Sequence, residues 1–163
     1  MDIEKLEEMI TQIAKQCNVM PNMALAIAYV ESGIDTTKVR YEAPWRYLVS
    51  PDKYAKNLGI TVETELVLQS MSWSCMQIMG SNARVLGYNG MLTLLVQPQL
   101  GILYACKHLQ VLKRKFVNEL DIISSYNQGS PVKLKDGKFK NQPYVDKVTD
   151  RLTYLRRISD GQK

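Results

Sequence analysis

The chain has 163 residues, 45% of them hydrophobic and 23% charged, and its 21 Lys and Arg outnumber its 16 Asp and Glu for a net charge of +5. That is enough chain to bury a core, and the composition is that of a globular protein. No apolar run nears the roughly 20 residues that span a bilayer, and three scattered cysteines (Cys17, Cys75 and Cys106) with no CxxC exclude a zinc ribbon and a disulfide scaffold.

The first ten residues, MDIEKLEEMI, are acidic and amphipathic. They lack the basic start and apolar centre of a secretory signal, so reduced core thiols and synthesis in a cytoplasm are expected. Ile3, Leu6, Ile10, Ile13 and Ala14 recur at helical spacing and predict a helix over 2–17. Asn18 to Pro21 is a turn, and a second helix runs from near Pro21 to Gly33. Residues 34–50 read as irregular. Ser50-Pro51 opens a short helix closed by Gly59, and Thr61 caps another that runs to about Met71. A helix over 74–86 closed by Gly87 is predicted next, then a short one after Asn89-Gly90. Pro98 opens a longer helix to about Phe116, and residues 120–128 form one more, stopped by Gly129. Val132, Leu134 and Phe139 around Asp136-Gly137 predict a small β-hairpin over 131–141. A last helix covers 143–158. No repeat or linker divides the chain, so one mainly α domain over 1–163 is expected.

The stretch NMALAIAYVESGID holds the sharpest chemical signal. Eight apolar residues, Met23 to Val30, run into Glu31. A helix apolar all round is buried, so Glu31 is expected where a core opens to a cleft. Desolvation and the negative end of the helix dipole should both raise its pKa. A carboxyl that keeps its proton near neutral pH can protonate a glycosidic oxygen.

Four further blocks come after Glu31 in the chain. AYVESGID itself resembles the Glu-Ser motif of the lytic transglycosylase and goose-type lysozyme superfamily. SMSWSCMQIMG (70–80) resembles that family's Ser-x-Gly-Leu-Met-Gln block, ISSYNQG (123–129) its Ala-Tyr-Asn-x-Gly motif, and PYVDKV (143–148) its late Tyr-Val element. VRYEAPWRYL (39–48) is similar to a Tyr-Glu-Pro block of phage members. The resemblance spans residues 24–148 and implies a lysozyme-like (goose-type/SLT) fold. It implies Glu31 as catalytic acid and base and Gln77 as a substrate hydrogen-bonder. It also implies Tyr126 and Asn127 lining the site and Tyr144 approaching Glu31. Three departures stand out: Ser74 replaces the family's Gly, Cys75 its Leu and Ser125 its Ala. Ser74 is expected to narrow the cleft or alter a backbone approach.

Hydrolases of this kind use a second carboxylate. Asp35, Glu42, Glu63 and Glu65 are the candidates. Glu63 and Glu65 read as solvated helix residues and Asp35 as a turn cap. Glu42 is the one expected to order the cleft or bind substrate. Lytic transglycosylases, by the resemblance, need no second acid, because the muramic acid's own C6 hydroxyl attacks. His108, the single histidine, has no nucleophile at triad spacing, and the methionines read as core filler.

From 133 to 163, nine Lys and Arg face four Asp, and Lys107, Lys113, Arg114 and Lys115 extend this basic face. It predicts attraction to anionic outer-membrane or wall polymers. A helical nucleic-acid binder is a different reading of the charge, but no basic helix with interleaved aromatics supports it. A catalytically dead phage structural protein is another. The expectation drawn is an enzyme that cleaves peptidoglycan between N-acetylmuramic acid and N-acetylglucosamine without metal or cofactor. It is expected to be a monomeric phage endolysin that accumulates in the host cytoplasm and acts at the wall.

Overall fold

Side-chain caps and opening prolines set most helix starts. In the computed structural model, which describes residues 2–161, helix α1 (Ile3–Gln16) begins where the Asp2 carboxylate accepts the Lys5 N–H at 2.9 Å. Helix α2 (Pro21–Ser32) opens on proline, whose missing N–H costs nothing in a first turn. Strand β1 (Val39–Tyr41) precedes helices α3 (Pro51–Leu58) and α4 (Val62–Gln69), and Thr61 caps α4 as expected. Strands β2 (Met71–Trp73) and β3 (Ile78–Met79) come next, then α5 (Gly80–Val85) and a 3-10 turn (Leu92–Val96). Helices α6 (Pro98–Lys115), α7 (Glu119–Gln128) and α8 (Gln142–Gly161) complete the chain. The mainly helical expectation holds, with eight helices among the described residues. None of them is long and apolar enough to cross a membrane. Lys163, at the end of the basic face, lies outside the described residues.

The chain divides into two compact units, residues 1–30 with 106–163 and residues 31–105. In the first, Leu6, Ile10 and Ala14 of α1 are buried, as are Met23 to Ala28 of α2 and Val145, Val148 and Leu152 of α8. The α6 side chains reach back to the turn after α1: Gln110 Nε2 donates to Cys17 O at 2.9 Å and Lys113 Nζ to Asn18 O at 2.8 Å. Tyr29 donates a short hydrogen bond to the Glu7 carboxylate, and the Arg151 guanidinium lies 3.7 Å from the Tyr29 ring centroid. Arg156 grips Glu119 with both nitrogens, at 3.2 and 2.6 Å, which ties α8 to α7.

The second unit is built around a small antiparallel sheet of order β1-β2-β3. Its register sets Val39 opposite Trp73 and Tyr41 opposite Met71, then Trp73 opposite Ile78. This sheet corrects two expectations. Residues 34–50 contain a strand, and the helix predicted over 74–86 starts only at Gly80. The reason is the turn Ser74–Gln77, where Ser74 (φ 66) and Gln77 (φ 50) are left-handed and cannot continue a helix. At Gly80 the chain crosses α4 so closely that a Cβ would sit 2.3 Å from Leu68 O. The hairpin expected over 131–141 exists only as one antiparallel bridge, Lys133 to Phe139.

Candidate active site

Glu31 stands in the last turn of α2, immediately after the apolar run, and is half-buried. Side chains of the second unit tie down the segment just beyond it. Ser32 Oγ donates to Cys75 O at 2.8 Å and accepts the Asp35 N–H at 2.9 Å. Lys38 Nζ donates to Glu31 O at 2.9 Å, satisfying a carbonyl at the helix end. Asp35 accepts from both the Thr37 N–H and the Thr37 hydroxyl, at 2.8 and 2.7 Å, which holds its carboxyl below the usual carboxylate range. It is the turn residue expected.

Gln77 is buried, and its amide is largely committed. Its Nε2 donates to Ser74 O at 2.7 Å and Lys38 O at 3.0 Å, while its Oε1 accepts the Ser72 hydroxyl at 2.9 Å. Both N–H groups are thus used inside the protein, and only one acceptor position on Oε1 remains. Gln77 thus holds the β2–β3 turn and the Lys38 backbone, and what it can still offer a substrate is that acceptor position. Glu42 belongs to the same chain of contacts. The Ser72 hydroxyl also leans toward its Oε1 at 3.4 Å, and Arg40 Nε donates to Glu42 at 2.5 Å. Hydrogen bonds therefore run from the Lys38 ammonium to the Glu31 backbone carbonyl, from Gln77 to the Lys38 carbonyl, and from Ser72 to Gln77 and toward Glu42.

In the first unit the expected residues lie on α7 and at the start of α8. Tyr126 is half-buried, with its ring centroid 5.6 Å from that of His108. Burial pushes the His108 imidazole down to about 4, so it is neutral at pH 7. Asn127 Oδ1 accepts from Asn141 Nδ2 at 3.0 Å. The same Asn141 amide donates to Ser124 O at 3.1 Å and accepts the Ser124 hydroxyl at 2.8 Å. Tyr144 sits in the first turn of α8, with its N–H donating to Asn141 O at 2.9 Å. Asn141 thus joins the Tyr126-Asn127 and Tyr144 motifs, a role no spacing argument exposed.

Residues 8–146 match the transglycosylase SLT domain family. The chain belongs to that family. No curated protein and no solved structure matches it. The family assignment carries peptidoglycan lytic transglycosylase activity in general, with peptidoglycan as substrate, on a lysozyme-like fold. Among the described residues, no group of three or more His, Cys, Asp or Glu is placed to hold a metal ion.

The departures from the family's motif now have a structural meaning. Ser74 occupies a left-handed position, which explains why glycine is the family's residue there. It does not narrow a cleft: it is fully buried, and a Cβ on Gly101 would lie 2.4 Å from its Oγ. Gly101 leaves room for the Ser74 side chain. The Ser74 hydroxyl leans only on the Cys75 thiol and makes no hydrogen bond of ordinary geometry. Burial pushes that thiol up to about 11. Ser125, in place of Ala, is also fully buried with its hydroxyl unpartnered among the described residues.

Glu65 overturns its expectation outright. It is wholly buried in α4, not solvated. Arg84 meets it with two nitrogens at 2.8 and 3.0 Å, and Gln69 Nε2 adds a third donor at 2.9 Å. Arg84 is itself buried, donating to Tyr88 O and Gly90 O at 2.7 and 2.8 Å beneath the Tyr54 ring. Every donor and acceptor of consequence is matched, which is the condition for keeping such a pair dry. Its function is to hold α4 to α5.

Proposed function

We propose that the chain cleaves the β-1,4 bond between N-acetylmuramic acid and N-acetylglucosamine with Glu31 alone as acid and base. The Glu31 carboxyl gives its proton to the glycosidic oxygen as the C1–O bond breaks and N-acetylglucosamine leaves. The resulting carboxylate then takes the proton of the muramic acid's C6 hydroxyl, whose oxygen bonds to C1 and closes a 1,6-anhydro ring. No water is consumed, so no second carboxylate is required to hold one.

The observation that carries this reading is the state of the second unit's other carboxylates. Six acids lie between residues 31 and 105. Asp35 is committed to its turn, Glu42 to Arg40 and Glu65 to Arg84, while Asp52 and Glu63 are exposed on helix surfaces. Glu31 is the one that ends a buried helix and remains half-exposed. Gln77 and Ser32 act as positioning residues for the segments beside it. Tyr126, Asn127 and Tyr144 serve as sugar contacts, and Glu42 orders the 39–48 segment. The whole chain works as one catalytic domain and as a monomer.

The Tyr41-Glu42-Ala43-Pro44 stretch, similar to phage members, supports a role as an endolysin. In that role the enzyme accumulates in the host cytoplasm and reaches the wall at lysis. The basic face favours anionic polymers or lipids of the bacterial envelope.

Mass spectrometry of digested peptidoglycan tests the chemistry. Wild type should yield anhydro-muramic ends, and Glu31→Gln should yield none while unfolding at the same denaturant midpoint. Products heavier by one water, with reducing muramic ends, would establish goose-type hydrolysis instead.

A further inference from the structure

Residues 132–140 fold back on themselves in the first unit. Leu134 N–H donates to Lys138 O at 2.8 Å, Lys140 N–H to Val132 O at 2.8 Å, and Gly137 N–H to Leu134 O at 3.0 Å. Lys133 and Phe139 face each other across the bridge. Side chains alternate across the bridge, so Lys133 and Phe139 share one face and their neighbours Val132, Leu134 and Lys140 turn to the other, while Lys138, next to the bend, borders both and also lines the groove beside Lys133 and Phe139.

The two faces are used differently. Phe139 is buried, and Lys133 Nζ lies 4.9 Å from its ring centroid and 3.8 Å from Asp121 Oδ1. On that face the aromatic ring and the Lys133 charge are met by the protein's own groups. On the other face, Val132 and Leu134 are 47% and 52% exposed. Lys138 and Lys140 beside them, and Lys135 at the bend, are exposed and in no ion pair among the described residues. Asp136, the only acid of the turn, accepts the Lys138 N–H at 3.0 Å.

Cations alone suffice to hold an acidic polymer, and the pair of exposed aliphatic side chains set among these lysines distinguishes the turn from a purely ionic surface. Aliphatic tips ringed by lysines suit a lipid headgroup layer. The tips enter the boundary with the acyl chains, and the lysine stems lie along them while the ammonium groups reach phosphate. We propose that the outer face of the 132–140 turn docks on an anionic phospholipid surface. This gives the anionic partner of the basic face a chemical identity, and it stands whichever reaction Glu31 performs.

Sedimentation of the full chain with vesicles tests it. Wild type should bind phosphatidylcholine vesicles containing phosphatidylglycerol, lose that binding in high salt, and ignore pure phosphatidylcholine. V132S/L134S keeps every charge and should bind roughly tenfold more weakly. K135S/K138S/K140S should lose on the order of a hundredfold, about fivefold for each lysine near the surface. Cleavage of soluble glycan fragments should be unchanged in both variants, which shows that they fold. The proposal is overturned if V132S/L134S binds vesicles as wild type does, or if wild type binds lipid-free sacculi and no vesicles. A protein that binds vesicles but cuts no glycan would sink the catalytic reading and leave this one standing.

Discussion

The two units keep their polar groups in opposite ways. The second buries Glu65, Gln69, Ser70, Ser72, Ser74, Gln77, Ser81 and Arg84, whereas the first buries only Ser124 and Ser125 among its described polar side chains. The first is held by apolar packing of α1, α2 and α8, which tolerates many side chains of suitable size. The second depends on donors and acceptors that must each find one partner, which fixes backbone positions far more narrowly. The segments carrying Ser32, Gln77 and Glu42 belong to the second kind.

The largest test removes the centre of that network. In Arg84→Met, Glu65 remains fully buried with Gln69 as its one side-chain donor, and Tyr88 O and Gly90 O lose theirs. The loss should be about 3 to 5 kcal/mol, read as a lower urea midpoint at unchanged slope. Adding Glu65→Met should recover most of it, since an apolar pair leaves no charge stranded. If Arg84→Met alone unfolds at the wild-type midpoint, the polar network does not carry the second unit.

The corresponding weakness of the first unit is His108. Its folded pKa, about 4, lies below the ordinary value of 6.5, so the folded state favours the neutral ring. The unfolded chain therefore binds the extra proton between those values. Stability from this source is complete above pH 6.5 and is lost as pH falls toward 4, by up to about 3 kcal/mol. His108 is the single histidine of the chain, so no other imidazole titrates in this window. His108→Phe should flatten unfolding midpoints between pH 4 and 6.5, and an unchanged slope there would remove the assignment.

The same contrast explains what could be read before the fold was known. Helices α1, α2, α3, α4, α6, α7 and α8 announced themselves through apolar periodicity, Thr61, Pro21, Pro51 and Pro98, signals that act within a few residues of chain. The sheet did not, because β1 pairs with β2 across some 30 residues and its strands are only two or three residues long. Residues 74–86 carry helical periodicity, and only two left-handed non-glycine residues, invisible to any pattern, break it. Glu65 was misread for a related reason. Its partner Arg84 lies 19 residues away, and a buried ion pair leaves the same letters in a sequence as two solvated charges. The half-buried position of Glu31 was legible because its own apolar helix announces it. The commitment of Gln77 to Ser74, Lys38 and Ser72 was not, since the motif gives the residue type and not its partners.

Two smaller tests act on the chain's own departures from its family. Ser74→Gly relieves a left-handed φ of 66 and removes a buried hydroxyl that has only the Cys75 thiol to lean on among the described residues and packs beside Gly101. Glycine's greater freedom in the unfolded chain offsets part of the gain. The net should be about 1 kcal/mol of added stability, seen as a higher melting temperature. Peptidoglycan cleavage should be retained, because the turn keeps its path.

Ser125→Ala is the counterpart in the first unit, and its effect should be smaller. Ser125 is fully buried inside α7, where no left-handed strain exists to relieve. Only the dry hydroxyl is at issue. Alanine keeps the Cβ, adds helix propensity and removes a buried hydroxyl that has no partner among the described residues. The melting temperature should rise slightly, by the equivalent of about 0.5 kcal/mol. A loss of stability would mean that the hydroxyl is bonded after all. The first unit would then share the second unit's dependence on polar matching, and the contrast between them would fail.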